Sequence, residues 1–122
     1  MSAGIVGCGV YIPKYRINRA LIGKAWSVRG SGENSVNYHD EDVITMGAEA
    51  SLNAINHAGI DCPSELEAIY FGTDSSPHIE HSSLGIISEV LRTKEEIDLA
   101  DFTASPRASF AALKACRDAV GA

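Results

Sequence analysis

The segment "DFTASPRASF", residues 101–110, joins an apolar strand to the start of a helix, where many enzymes place a nucleophile. The first N–H groups of a helix are unpaired and carry about half a positive charge, so a cysteine there ionises readily. Here Ser105 and Pro106 occupy the junction. Ser105 suits a helix cap and Pro106 suits the first helical position, but Pro106 has no nucleophilic atom. No histidine lies near Ser105 in the sequence, so the residue types favour capping over nucleophilic catalysis unless the fold brings a base to Ser105.

A second polar stretch, "TDSSPHIEH", follows the apolar segment "AIYFG". Asp74 in this stretch fits a turn, which aspartate favours. His78 and His81 have the spacing of one helical turn and flank Glu80. Two histidines and one carboxylate in a polar loop fall short of the ligand set of a zinc site. We therefore predict no metal centre.

Basic side chains are concentrated in residues 14–29, which contain no acidic residue. This basic cluster consists of Lys14, Arg16, Arg19, Lys24 and Arg29. The rest of the chain has five basic against 16 acidic side chains, and the overall charge of −6 argues against a nucleic-acid-binding protein. The basic cluster could attract a phosphorylated ligand, and a solvated surface is the alternative.

Glycine and cysteine spacing excludes several other classes of site. Gly7-x-Gly9 lacks the third glycine and the following helix of a dinucleotide-binding motif. Cys8, Cys62 and Cys116 lie in separate elements without a CxxC pair, so neither a disulfide framework nor a structural zinc site is expected.

No stretch approaches the roughly 18 apolar residues of a membrane span, and the N-terminus lacks a signal-peptide pattern. We expect a cytoplasmic protein that does not associate with membranes.

The elements that would position these residues alternate between strand and helix. The pattern predicts a buried first strand over "AGIVGCGVYIP", a helix capped by Asn18, a polar loop over residues 29–42 and a helix from Val43 to Ala58 that ends at Gly59. It then predicts a strand "EAIYFGT", a helix with Leu84, Ile87 and Leu91 on one face, a strand "IDLADF" and a last helix from Pro106 to about Val120. Alternating strands and helices favour an α/β layer with parallel pairing, and we treat residues 1–122 as one domain. The last helix is rich in alanine and slim on several faces, so we expect it to lie inside the protein.

Four ordered segments resemble a known family: "GIVGCGVYIPKYRI", "DEDVITMGAEASLNAINHAGID", "LEAIYFGTDSSP" and "LADFTASPRASFAALKAC". In this order they are similar to the N-terminal part of 3-hydroxy-3-methylglutaryl-CoA synthases of the archaeal and bacterial type, and to the related ketoacyl synthase III enzymes of the thiolase superfamily. The resemblance implies a partial thiolase-like fold, the N-terminal portion of its first half, in which a mixed sheet packs on a buried central helix.

The resemblance also implies site residues, some of them altered. The acyl-accepting cysteine of the family aligns with Pro106, and the glutamate that serves as general base aligns with Asp74, a shorter carboxylate. Trp26 and Arg29 lie where ketoacyl synthase III enzymes contact the adenine end of coenzyme A, and Arg16 belongs to the same basic cluster. The catalytic histidine of the family would lie beyond the last residue of this chain.

Two functions follow from the resemblance. The complete assembly could be an acyltransferase that performs Claisen-type condensation of CoA thioesters, or its reverse, without covalent acyl transfer or with Ser105 recruited. Alternatively, it could be a non-catalytic protein that binds acyl-CoA, or scaffolds a complex with a thiolase and a small zinc-ribbon/OB-fold protein. In both cases acyl-CoA is the ligand, no cofactor is covalently bound, and this chain alone is expected to be inactive. A homo- or hetero-oligomer, or the rest of the thiolase-like enzyme, would cover the exposed sheet edges and the apolar helix.

Overall fold

The computed structural model describes residues 3–121, and the chain divides into two compact units. The larger unit combines the N-terminal segment up to Tyr11 with the chain from Val43 onwards. The smaller unit is Ile12–Asp42. The candidate catalytic residues and the candidate CoA-contacting residues therefore lie in different units.

The smaller unit is a strand–helix–strand element. It contains β1 (Tyr15–Asn18), α1 (Arg19–Trp26) and β2 (Glu33–Val36), with the two strands antiparallel. Asn18 caps α1 as predicted, because its side chain accepts a hydrogen bond from the Ala20 backbone N–H at 2.8 Å. The helix ends at Ser27, which has a φ of 55°, and Val28 N–H donates to the Gly23 carbonyl at 2.9 Å.

The prediction of a continuous polar loop over residues 29–42 is wrong, because β2 lies within it. The sequence "ENSV" has no hydrophobic alternation, and three of its four residues are exposed. Backbone pairing with β1 makes this segment a strand, from Tyr15 opposite Val36 to Asn18 opposite Glu33. Such an exposed strand leaves no mark in the hydrophobic pattern.

The larger unit contains a parallel strand pair covered by helices. Its elements are α2 (Val43–Ala58), a short 3₁₀ turn (Pro63–Glu65), β3 (Ala68–Gly72), α3 (Ser83–Leu91), β4 (Asp98–Phe102) and α4 (Ala108–Gly121). The strands pair in parallel from Ala68 opposite Asp98 to Gly72 opposite Phe102. The predicted parallel pairing is confirmed, and across residues 3–121 the strands form one antiparallel pair and one parallel pair.

Helices α2 and α3 form the hydrophobic core with the inner face of the parallel strands. Six buried side chains make up its centre: Ile44, Ala48, Ile55, Leu84, Ile87 and Leu91. Ile69, Phe71 and Leu99 of the strands pack against them. The predicted apolar face of α3, with Leu84, Ile87 and Leu91, is confirmed, and Gly59 ends α2 with a φ of 68°.

Helix α4 packs on β3 and β4 through one face. Ala108 and Ala112, four residues apart, are both buried there. On other faces Phe110 is 72% exposed and Leu113 is 57% exposed, so within residues 3–121 the helix is covered on one face only. The helix begins at Ala108, two residues later than predicted, because Pro106 and Arg107 form the turn that precedes it.

The N-terminal segment is not the buried strand that its apolar pattern predicts. In residues 3–11 the structure has no strand, and Ile5 and Val6 are both 80% exposed. Gly7 and Gly9 instead lie directly on α2: a Cβ atom added to Gly9 would be 2.2 Å from the Ala50 carbonyl oxygen. The absence of these side chains lets the backbone of the segment approach the backbone of the helix.

Among residues 3–121, no helix combines the length and apolar character that a bilayer span requires.

Candidate functional site

The parallel pairing of β3 and β4 brings the two candidate catalytic segments to one edge of the sheet. Gly72 lies opposite Phe102 at the carboxyl ends of these strands. Thr73 N–H donates to the Phe102 carbonyl at 3.0 Å, which extends the ladder by one residue. Asp74 lies two residues after the end of β3, and Ser105 and Pro106 lie three and four residues after the end of β4, so both segments leave the sheet at this edge. Ligand sites in open α/β sheets form outside the carboxyl ends of the strands.

Ser105 acts as a helix cap. Its hydroxyl oxygen accepts a hydrogen bond from the Arg107 backbone N–H at 3.2 Å, and its carbonyl accepts one from Ala108 N–H at 3.0 Å. These contacts satisfy N–H groups at the start of α4 that would otherwise have no partner. The structure therefore places Ser105 in the capping position that its residue type favours. Pro106 is exposed beside it in the same turn.

The connection between β4 and α4 contains an unusual backbone conformation. Ala104 has a φ of 62°, in the left-handed region where residues other than glycine are uncommon. Holding alanine there costs on the order of 1 kcal/mol. This residue turns the chain sharply between Phe102 and the Ser105 cap.

The start of α4 is fixed to the end of β3 by Gly72 and Ser109. The Ser109 hydroxyl donates to the Gly72 carbonyl at 3.1 Å. A Cβ atom on Gly72 would be 2.6 Å from the Ala108 carbonyl oxygen, so only glycine allows this approach. Neither the contact of Ser109 nor the conformation of Ala104 was predicted from the sequence. The "YFG" ending of β3 was the available indication that another backbone approaches there.

Asp74 lies at the tip of a turn held together by Thr73. The Thr73 hydroxyl is in a nearly buried side chain and accepts from Ser75 N–H at 3.2 Å. This hydrogen bond closes a tight turn around Asp74, whose side chain is exposed. The turn predicted from "TDSSP" is thus present, and it leaves the carboxylate accessible from solvent.

The candidate CoA-contacting residues belong to the smaller unit. Trp26 is the last residue of α1 and is 76% exposed, so within the described chain it is not a packing residue. Arg29 is exposed three residues later. Arg16 is exposed on β1, but its guanidinium folds back to donate to the carbonyl oxygens of Pro13 and Tyr15. Trp26 and Arg29 are therefore more available to a ligand than Arg16.

Histidines 78 and 81 lie in the loop before α3, with ring centroids 6.1 Å apart. Across residues 3–121, no three His, Cys, Asp or Glu side chains are gathered as metal ligands would be.

An apolar groove runs along the exposed face of α4. It has a volume of about 500 Å³ and lies between the helix and residues 3–5. Its apolar lining includes Ile5, Phe110, Leu113 and Val120. This apolar face was not predicted, because the alanines of α4 suggested a helix that is slim on several faces.

Comparison with known proteins shows which sequences this chain resembles. The chain is 42% identical over 122 residues to the hydroxymethylglutaryl-CoA synthase of Thermococcus sibiricus, a match that covers 98% of this chain and 35% of that enzyme. The chain thus spans about a third of the length of the curated relatives it matches. No family model matches the sequence.

Solved structures show the same fold at lower identity. The 3-oxoacyl-[acyl-carrier-protein] synthase III of Aquifex aeolicus superposes with a TM-score of 0.81 at 22% identity, covering 96% of this chain and 40% of that one. OleA of Xanthomonas campestris, solved with bound lauric acid and lauroyl-CoA, superposes with a TM-score of 0.83 at 12% identity, covering 97% and 39%. Over nearly its whole length the chain is thus similar in sequence to hydroxymethylglutaryl-CoA synthases, and it has the thiolase-like fold that it shares with these solved structures.

Proposed function

We propose that this chain is part of a protein that handles acyl-CoA thioesters and, in the complete assembly, performs Claisen-type condensation or its reverse. The 42% identity to a hydroxymethylglutaryl-CoA synthase over nearly the whole chain supports this class of reaction. The proposal departs from that enzyme class at residue 106, because proline cannot accept an acyl group. Condensation would then proceed without an acyl-cysteine at this position.

Asp74 is the proposed base. A carboxylate at the carboxyl end of β3 would remove a proton from the acetyl methyl group, and the carbanion would attack a carbonyl carbon of the second substrate. The exposed position of Asp74 at the tip of its turn allows a substrate to reach it. The start of α4 lies at the same sheet edge, and its N–H groups would favour the developing negative charge. Ser105 is the only hydroxyl immediately beside residue 106 in the sequence, and it would accept an acyl group only by giving up its cap.

The smaller unit is the proposed contact region for coenzyme A. The exposed indole of Trp26 offers a face for the adenine ring, and the guanidinium of Arg29 offers a partner for phosphate. Arg16 would add positive charge nearby on β1. No covalently held cofactor is required for this role, and we place the protein in the cytoplasm.

A non-catalytic role is the second candidate, and Pro106 is the observation that favours it. Such a protein would bind acyl-CoA or scaffold a complex with a thiolase and a zinc-ribbon/OB-fold protein. The apolar groove on α4 is consistent with either function, since the remaining part of a thiolase-like assembly would cover it.

Incubation of the complete assembly with radiolabelled acetyl-CoA and acetoacetyl-CoA distinguishes the two candidates. A condensed product that disappears in Asp74→Asn supports the enzyme, and a covalent adduct that disappears in Ser105→Ala supports the recruitment of Ser105. Saturable binding without product or adduct supports the non-catalytic protein. Absence of binding, product and adduct contradicts both.

A further inference from the structure

Cys8 and His57 form a thiol–imidazole pair that is separate from the strand–helix junction. The Cys8 sulfur lies 3.8 Å from His57 Nδ1, and the Cys8 backbone N–H donates to the same nitrogen at 3.0 Å. Both side chains are exposed. These residues are 49 positions apart in the sequence, so only the fold brings them together.

The N-terminal segment is held against α2 on both sides of Cys8. Gly7 approaches Ala58 so closely that an added Cβ atom would be 2.6 Å from the Ala58 Cβ. Gly9 lies over the backbone of Ala50 and Ala54, and Asn53 Nδ2 donates to the Val10 carbonyl at 3.1 Å. The thiol is therefore kept beside the imidazole by backbone packing and not by a loose loop.

The hydrogen bond from the Cys8 backbone indicates the tautomer of neutral His57. A nitrogen that accepts a hydrogen bond carries a lone pair, so neutral His57 holds its proton on Nε2 and directs the Nδ1 lone pair towards Cys8. The imidazole is thus placed to take the thiol proton. The Cys8 N–H released in that step can bond to water, because the residue is exposed.

We propose that Cys8 is a site of reversible modification by small-molecule disulfides, with His57 as its proton acceptor. His57 takes the thiol proton, and the Cys8 thiolate attacks one sulfur of a disulfide R–S–S–R. The S–S bond of the reagent breaks as the Cys8–S–S–R bond forms, and R–S⁻ leaves with the electron pair and collects a proton. The cysteine is oxidised and half of the reagent is reduced, so no further oxidant is required.

The other two cysteines provide an internal comparison. Cys62 and Cys116 are also free and exposed, so access to reagent does not separate them from Cys8. The Cys62 sulfur lies 2.7 Å from the Ser64 hydroxyl, a group that is a much weaker base than imidazole. Cys116 lines the apolar groove, so the probe should be small and uncharged to avoid selection by hydrophobicity or charge.

The test measures the rate at which hydroxyethyl disulfide modifies each cysteine, by quenching samples over time and analysing the peptides by mass spectrometry. We expect Cys8 to react roughly tenfold faster than Cys62 and Cys116. This rate enhancement is smaller than is usual for general-base catalysis, because the sulfur and Nδ1 are 3.8 Å apart. In His57→Gln, glutamine can still accept the backbone hydrogen bond but cannot take the proton, so the rate at Cys8 should fall to that of the other two cysteines.

His81→Gln is the matched control, since it removes an exposed histidine from a loop and should leave all three rates unchanged. A circular dichroism spectrum and an unfolding transition like those of the original protein show that His57→Gln is folded. Equal rates at the three cysteines in the original protein would overturn the proposal, and so would a fast reaction at Cys8 that persists in His57→Gln. The probe is not a CoA thioester, so this result is independent of the proposed acyl-CoA function.

Discussion

At the scale of single residues, the junction after β4 is the proposed nucleophile position, and its residues cannot supply the expected thiol. Ala104 makes the sharp turn, Ser105 caps the helix, and Pro106 occupies the next position. The residue types alone predicted the cap. They could not predict the left-handed conformation of Ala104, because alanine carries no mark of it and the conformation is imposed by the packing of α4 on the strands.

Restoring a thiol at residue 106 tests this interpretation of the junction. In Pro106→Cys, we expect slow formation of a covalent acetyl adduct with acetyl-CoA, because the thiol would lie at the start of α4, where the helix favours the thiolate. Intact-mass measurement detects the adduct, and peptide analysis locates it. Arg107→Cys is the matched control one position along the turn. Equal labelling of the two variants, or none of Pro106→Cys, would contradict the assignment of residue 106 to the nucleophile position.

At the scale of elements, the sequence predicted the helices and strands that bury one apolar face. It did not predict the segments that lack such a face. Helices α2 and α3 and strands β3 and β4 were predicted because their apolar residues repeat with the period of the element. Strand β2 was missed because it is polar and exposed, and residues 3–13 were predicted as a strand because their apolar side chains suggested burial. The pairing of a segment with its neighbour is a long-range property that local periodicity does not encode.

Gly72 allows β3 and α4 to pack closely against each other. We expect Gly72→Ala to reduce the free energy of unfolding by about 1–3 kcal/mol, since the new Cβ atom would overlap backbone atoms of Ala108 and Ser109. Denaturant unfolding measures the change. Gly85→Ala on α3 is the control, because nothing lies within 4 Å of its added Cβ and alanine favours helix. A Gly72→Ala variant as stable as the control would show that α4 does not pack closely on β3.

The charge of Asp118 should make the stability of the protein depend on pH. Hydrogen bonds from Lys114 and then Arg117 hold the pKa of Asp118 below 3.8, the ordinary value of its carboxyl group. A carboxyl group whose pKa is lower in the folded state stabilises that state above the unfolded pKa, and loses this effect as the pH falls through the folded pKa. Asp118→Asn should therefore be less stable than the original protein at neutral pH, and the difference should vanish in acid.

Thermal unfolding followed at neutral pH and in acid measures the effect of Asp118→Asn, with Glu95→Gln as an exposed carboxylate control. Because the pair with Lys114 is on the surface, the difference should also shrink in high salt. A difference that stays constant from neutral pH into acid would show that the charge of Asp118 does not stabilise the helix.

At the scale of the whole molecule, the two units differ in the charged and apolar side chains that they expose. The smaller unit contains the basic cluster and an exposed tryptophan, while the larger unit contains the parallel strands, the junction and the apolar groove. The proposed acyl-CoA-handling function would account for both sets of features within one protein. The basic cluster and the candidate catalytic positions could be located in the sequence, but their assignment to coenzyme A and to condensation came only from the resemblance.

Calorimetric titration with acetyl-CoA is the most direct test of that account. The protein should bind acetyl-CoA saturably, and reversal of charge in Arg16→Glu combined with Arg29→Glu should weaken the affinity by roughly tenfold or more, as expected for the loss of charged contacts to phosphate. Lys94→Glu, an exposed basic residue outside the basic cluster, should bind like the original protein. No binding of acetyl-CoA, or equal binding by the double variant and the original protein, would contradict the proposed role of the smaller unit in holding coenzyme A.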